Sequence, residues 1–275
     1  MNFPLIQGGD CCGHIVAVGR NVRPSRIGER VIVRNVLKSP VDYRPWECVV
    51  FGSETDGAFA QYAVAPSSET DKVVCDWSDE ELACIPIAYT TAECMLDRAD
   101  VGKERVLITG ASGGVGSAAV QLAKRRGATV IAISAKEKFD AILNIGADKV
   151  LDRDTDLVEE LGKDSVDVVV DLVAGPNWPK IPEILVRGGR YVIAGAIGGP
   201  VVKFDVRNLY LKDQSFFGTT YRKDSISENV IKYIEQGEIR PLISKTYPLE
   251  NIVQAQRDFI SKKFPGKLVL IPPKN

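Results

Sequence analysis

Thr109-Gly110-Ala111-Ser112-Gly113-Gly114-Val115-Gly116 decides how the rest of the chain is read. Before it stands Arg105-Val106-Leu107-Ile108-Thr109, a short apolar run that reads as a buried strand. After it comes Ser117-Ala118-Ala119-Val120-Gln121-Leu122-Ala123-Lys124, with apolar residues at 115, 118, 119, 122 and 123 along one helical face. Gly127 stops that helix just past Lys124-Arg125-Arg126. The glycines therefore sit where a strand turns into a helix. The first N–H groups of a helix have no partner inside it, and the helix dipole adds positive charge there, so such a turn suits a phosphate. Ala111, Gly113 and Gly116 follow the spacing A-x-G-x-x-G. A small residue at 111 permits the tight turn, Gly113 lets a pyrophosphate approach the backbone, and Gly116 lets helix and strand pack closely.

The next strand, Thr129-Val130-Ile131-Ala132-Ile133, ends at Ser134. A site for NAD usually carries Asp or Glu at this point, about 20 residues past the glycines, to hold the ribose 2′-hydroxyl. Here no carboxylate ends the strand, and Lys136 and Lys138 follow. That favours the 2′-phosphate of NADPH, which a cation can pair. Glu137 is the one neighbour that would face a ribose hydroxyl instead.

The chain has 275 residues, 45% hydrophobic and 26% charged, enough for a large core in one or two domains. A net charge of −1 gives no reason to expect nucleic acid or an anionic membrane surface. No apolar run approaches the roughly 18 residues of a membrane span. The N-terminus lacks a basic, signal-like start, so the expected location is cytoplasmic. Cys11, Cys12, Cys48, Cys75, Cys84 and Cys94 include no C-x-x-C pair and are expected as reduced thiols.

Residues 1–84 read as a β-rich domain, with strands at 15–19, 30–33 and 58–64 and a loop over 34–56. Ser78 reads as an N-cap ahead of Asp79-Glu80-Glu81. Residues 85–240 alternate strand and helix: strands at 105–109, 129–134, 149–152, 166–173, 189–195 and 215–221, helices at 117–126, 137–144, 155–162 and 226–235. Such alternation predicts an α/β fold, a doubly wound parallel Rossmann sheet covered on both faces. Residues 241–275 add a helix at 249–262 and a strand at 267–271, a tail expected to return to the first domain.

Two dehydrogenase families carry such a glycine motif. The short-chain family needs a catalytic Tyr with Lys four residues on, and none of the eight tyrosines here has one. The order of domains instead resembles the medium-chain dehydrogenase/reductase superfamily over almost the whole chain. Pro4 to Gly13 is similar to its P-x-x-x-G-x-[DE]-x-x-G opening, and Ile27-Gly28-Glu29-Arg30-Val31 to its GDRV strand. Gly57 to Tyr62 resembles its GGxAEY, Ile85 to Ala92 its LPVAYLTA, and Gly266 to Leu270 its closing GKxVL. Zinc members place a His where Gly9 stands and a four-cysteine loop where residues 32–57 hold only Cys48. The only histidine, His14, lies one residue past Gly13 and reads as a core or edge residue. The resemblance is thus to the zinc-free quinone oxidoreductase and enoyl reductase branch, with a GroES-like first domain that lacks the family's usual N-terminal segment.

The resemblance implies roles for particular residues. Thr91 matches a threonine near the nicotinamide, and Ser112, Gly113, Gly114 and Val115 match the pyrophosphate turn. Ser134, Lys138 and Arg153 match the 2′-phosphate site, and Gly195, Ala196 and Ile197 match the loop beside the nicotinamide. No metal is implied. The expected activity is hydride transfer from NADPH to a quinone or an α,β-unsaturated carbonyl. An enoyl-thioester reductase and a catalytically incompetent NADPH-binding sensor or scaffold stand as alternatives. The proton donor is not identified; Tyr43 and Tyr221 are candidates. The family usually pairs through the edge strand, here 215–221, so a homodimer is expected, with a small-molecule substrate as the other partner.

Overall fold

Val31, Ile32 and Val33 are buried, β-branched and consecutive, a sequence that favours an extended chain covered on both faces. The computed structural model describes residues 3–38, 46–220 and 222–273. The first strands are β1 (Cys12–His14), β2 (Arg30–Val33), β3 (Val36–Leu37), β4 (Val49–Val50) and β5 (Thr70–Lys72). β2 is the middle of an antiparallel sheet ordered β1-β2-β5, with Gly13 opposite Val31 and Ile32 opposite Asp71. β3 and β4 pair within the segment expected to be loop, and Val33, Leu37 and Phe51 form a small core beside them.

Two expected strands differ. The first lies at 12–14 rather than 15–19. Past His14 the pairing ends with the bonds Ile15 N to Glu29 O and Gly28 N to Ile15 O, so the chain turns away. Residues 58–64 alternate in polarity but join no ladder. The start of that segment is bonded through Ala58 N to Gly8 O and Phe59 N to Gln7 O, Gln61 Nε2 donates to Pro273 O at 3.1 Å, and Val64 is left 92% exposed. Alternation reports two faces and does not supply a partner strand.

Helix α1 (Asp79–Leu82) begins at a capping box: Ser78 Oγ accepts from Glu81 N while the Glu81 carboxylate accepts from Ser78 N. Helix α2 (Ala88–Arg98) follows.

Six strands then build one parallel sheet: β6 (Arg105–Ile108), β7 (Thr129–Ser134), β8 (Lys149–Asp152), β9 (Val166–Asp171), β10 (Leu185–Ile193) and β11 (Ser215–Gly218). Their order is β11-β10-β9-β6-β7-β8. The chain winds outward from β6 through β7 and β8, then crosses back to β9 and winds the other way. The helices between are α3 (Gly114–Arg125), α4 (Phe139–Asn144), α5 (Leu157–Leu161), α6 (Ile181–Ile184) and α7 (Val206–Leu211). Leu107, Ile131, Val169, Ile184 and Leu185 lie in the core on one side, with Trp178 and Tyr191. The edge strand β11 ends at Gly218 rather than at 221, and Tyr221, like Tyr43, lies outside the described residues.

The chain divides into two compact units, residues 1–90 with 221–275, and residues 91–220. These bounds differ from those expected at 84 and 240. The reason lies in helix α8 (Asp224–Glu235), which is tied to the first unit at both ends. The Arg34 guanidinium bonds Asp71 through two nitrogens and reaches Asp224 Oδ1 at 2.8 Å. Glu235 accepts from Val74 N, and the Arg240 guanidinium meets Glu81 at 2.7 Å. Strands β12 (Ile243–Pro248) and β13 (Lys267–Ile271) pair in parallel, joined by α9 (Ile252–Ser261). Lys267 Nζ closes on Asp10 at 2.6 Å, so the tail meets the start of the chain. Among the described residues no helix is long and apolar enough to cross a membrane.

Candidate cofactor site

The sheet of the second unit reverses its winding between β6 and β9. In open α/β sheets, ligands bind in the crevice outside the strand ends at such a point. Three turns meet there. The first leaves β6 through Gly110, whose φ of +59° is left-handed and suits glycine. Ala111 is fully buried and its N–H bonds Ile133 O on β7. Gly113 is the N-cap of α3, with no side chain capping the helix, and Gly113 N bonds Gly110 O. Gly113 is exposed while Ser112, Gly114 and Val115 are half-buried, so the open amide end of α3 faces outward among small residues.

The two motif glycines are required for different reasons. A Cβ on Gly116 would stand 2.2 Å from Gly110 O and 2.7 Å from Ala111 Cα, both backbone atoms. Gly116 therefore permits helix and strand to touch. A Cβ on Gly113 would find nothing closer than Gly110 O at 3.5 Å, so the fold does not need that glycine. The space beside it is what a group approaching the backbone would occupy.

Ser134 ends β7, opposite Asp152 in the ladder. Arg153 N donates to Ser134 O at 3.2 Å, so the backbone brings these two expected phosphate residues together. Ser134 is 4% exposed and its Oγ has no hydrogen-bond partner among the described residues. Buried hydroxyls are rarely left so, and an orphan of this kind points to a missing group. The Arg153 side chain is exposed, Lys138 is buried within the turn that opens α4, and Glu137 is exposed. The neighbouring Asp152 carboxylate is engaged by Asp154 N at 3.0 Å.

The third turn follows β10. A Cβ on Gly195 would meet Leu172 O at 2.9 Å, and Gly198 N donates to Val173 O at 2.8 Å. Gly195, Ala196 and Ile197 thus lie against the turn that leaves β9, with Ile197 76% exposed. Thr91 is buried in α2 and is placed by that helix rather than by the sheet's edge.

One cluster escaped the sequence reading. Asp171, the last residue of β9, is fully buried. Its Oδ1 accepts from Thr109 Oγ1 at 2.5 Å, Val173 N at 2.9 Å and Ala174 N at 3.1 Å. Its Oδ2 accepts from the Tyr191 hydroxyl at 2.7 Å, which in turn accepts from Trp178 Nε1 at 2.8 Å. Thr109 Oγ1 also accepts from Leu172 N. Burial raises the Tyr191 phenol well above its usual range, and the Asp171 charge adds to the rise. The signal available in the sequence was an Asp closing a valine run, since a carboxylate on a central strand must find donors. Among the described residues, no three His, Cys, Asp or Glu side chains gather where a metal could be held.

Comparison with known proteins bears on this site directly. A family model described as alcohol dehydrogenase GroES-like domain matches residues 1–79, and one described as zinc-binding dehydrogenase matches residues 114–236. The acryloyl-coenzyme A reductase of Metallosphaera sedula is 31% identical over 98% of this chain and 84% of that protein. Human quinone oxidoreductase is 28% identical, with 98% of this chain and 80% of that protein covered. A crystal structure from Sinorhizobium meliloti 1021, described as a candidate alcohol dehydrogenase, superposes with a TM-score of 0.92 at 43% identity, covering 99% of this chain and 77% of that one. The 2-octenoyl-CoA carboxylase reductase CinF, solved with NADP and 2-octenoyl-CoA, gives 0.89 at 27% identity, covering 98% and 69%. The parallel sheet with its glycine turn, the GroES-like first domain and these relatives agree: the chain belongs to the medium-chain dehydrogenase/reductase superfamily of oxidoreductases.

Proposed function

We propose that the chain is an NADPH-dependent, zinc-independent reductase of carbon–carbon double bonds conjugated to a carbonyl, quinones included. The observation that carries the choice of cofactor is the orphaned Ser134 hydroxyl at the end of β7, where a carboxylate would repel a 2′-phosphate. Arg153, just past β8 with its backbone bonded to Ser134, and Lys138, in the turn after β7, would supply cations. Ala111, Ser112, Gly113, Gly114 and Val115 would hold the pyrophosphate, and Thr91 with Gly195, Ala196 and Ile197 would border the nicotinamide. When bound, NADPH supplies the hydride. Conjugation carries the developing negative charge onto the carbonyl oxygen, so the reaction does not depend on a metal; the protein's part is orientation and hydrogen bonding, and a proton from water or a side chain completes the reduction.

Titration with NADPH and NADH, followed by fluorescence, tests the cofactor reading. NADPH is expected to bind at least about tenfold more tightly, the worth of one charge-assisted contact; a preference for NADH would overturn the roles given to Ser134, Lys138 and Arg153. Oxidation of NADPH on adding 1,4-benzoquinone or an enone then tests the reduction, and full binding without turnover on any acceptor would sink it.

An enoyl thioester is the second reading. It is favoured by the acryloyl-coenzyme A reductase relative and by the octenoyl-CoA bound to CinF. Faster turnover of acryloyl-coenzyme A than of benzoquinone at equal concentration would select it. We also propose that two copies pair through β11, an edge strand carrying the half-buried Phe216 and Phe217. Light scattering should give about twice 30.0 kDa, and a monomer at micromolar concentration would refute the pairing.

A further inference from the structure

We infer that Asp171 is a positioning residue for the nicotinamide half of the site, acting through the turn it pins rather than by touching the cofactor. The inference rests on the cofactor reading above. Three consecutive amides leave β9, those of Leu172, Val173 and Ala174. The first is taken by Thr109 Oγ1 and the other two by Asp171 Oδ1. Thr109 is bonded to the same carboxylate oxygen, so the end of β6 and the turn after β9 share one acceptor. Ala174 is held at a φ of +53°, a conformation a residue with a side chain seldom adopts unaided.

The pinned turn is in contact with both of its neighbours. A Cβ on Gly110 would meet Val173 Cγ2 at 3.1 Å, on the pyrophosphate side. On the other side Val173 O accepts from Gly198 N, and a Cβ on Gly175 would stand 2.6 Å from Gly198 O. The loop beginning at Gly195, Ala196 and Ile197 therefore takes its position from the 172–175 turn. Tyr191 and Trp178 hold the carboxylate's other oxygen from within the core. Ser134 and Arg153 take part in none of these bonds, although Asn177 Nδ2, just past the turn, donates to Arg153 O at 3.3 Å. The carboxylate's own bonds therefore end at the turn after β9 and at the end of β6, while Ser134 and Arg153 are held by β7 and β8.

Thr109→Val and Thr109→Ser make the first comparison, since valine keeps the shape but neither donates to Asp171 nor accepts from Leu172 N. Asp171→Ala is the stronger variant, and the threonine pair carries the test should Asp171→Ala fail to fold. Each is titrated with NADPH and with adenosine 2′,5′-bisphosphate, which lacks the nicotinamide half. Thr109→Val is expected to weaken NADPH about tenfold, the worth of one or two lost hydrogen bonds, and to leave the bisphosphate unchanged. Thr109→Ser should restore NADPH binding. An equal loss for both ligands, or no loss for either, would overturn the inference, because general loosening of the fold does not distinguish the two halves. Wild-type protein that bound neither ligand would instead remove the cofactor reading itself.

Discussion

Gly113 and Gly116 belong to one motif, yet the structure assigns them opposite sensitivities. Alanine at 116 must displace the backbone of Gly110 and Ala111. We expect Gly116→Ala to cost about 2–3 kcal/mol, the range of an overpacked core site, measured by urea unfolding. Alanine at 113 has room. Gly113→Ala should therefore change stability by no more than about 0.5 kcal/mol while NADPH affinity falls, because the methyl fills the space a phosphate would take. Unchanged affinity would mean that the pyrophosphate lies elsewhere. The spacing of these glycines was legible in the sequence, but the partner of each was not, since it depends on how closely α3 meets β6. Asp171 was harder still. It sits in an apolar run whose pattern says only that the strand is central, and its donors come from residues up to 62 positions away. The cysteines show the reverse. Burial, reinforced by Asp10, pushes the Cys11 thiol up to about 11, and burial pushes Cys84 up to about 12. Both should resist iodoacetamide at pH 8, as thiols rather than thiolates; rapid alkylation of either, read by mass spectrometry, would contradict that environment.

Among the elements, the parallel strands were the most legible. β7, β8 and β13 fall where the sequence places them, because runs such as Thr129–Ser134 are both apolar and bounded by turns. Helix α2 was missed for a physical reason. Residues 88–96 are all buried, Thr90, Thr91 and Glu93 among them, so the polar residues do not mark a solvent face and the helical period is blurred. The strand expected at 58–64 failed in the opposite way, with a period but no partner. Helix α1 was legible from its cap alone, and Ser78→Ala should lower stability by about 1 kcal/mol in thermal unfolding. At α8 the Asp224 carboxyl is held below its usual range by Lys38 Nζ at 3.0 Å and by Arg34. Asp224→Ala should cost about 1 kcal/mol, since the site is half exposed and Arg34 keeps its two bonds to Asp71.

For the molecule as a whole, these carboxylates set the acid limit. Burial pushes Asp148 up, but Lys124 and Val130 N hold it below its ordinary value. Asp224 is lowered as well. A carboxyl with a lowered folded pKa contributes stability that is complete above its unfolded value and lost as pH falls through the folded one. Urea midpoints should therefore be level from neutral pH down to about pH 5 and decline below it. A midpoint unchanged at pH 3 would show that these pairs add nothing. The division into two units was only partly legible, because ion pairs between distant positions, such as Arg34 with Asp224, leave no local pattern. It also has a consequence for synthesis. Residues 91–220 are one unbroken stretch, whereas the first unit needs residues 221–275 to be complete. On the ribosome the sheet of β6 to β11 has all its strands well before translation ends. Residues 1–90 must wait, with Asp10 bonded by Ile87 N but its ion pair unmade until Lys267 emerges. Residues 221–275, made after the sheet, thus complete the unit that residues 1–90 begin.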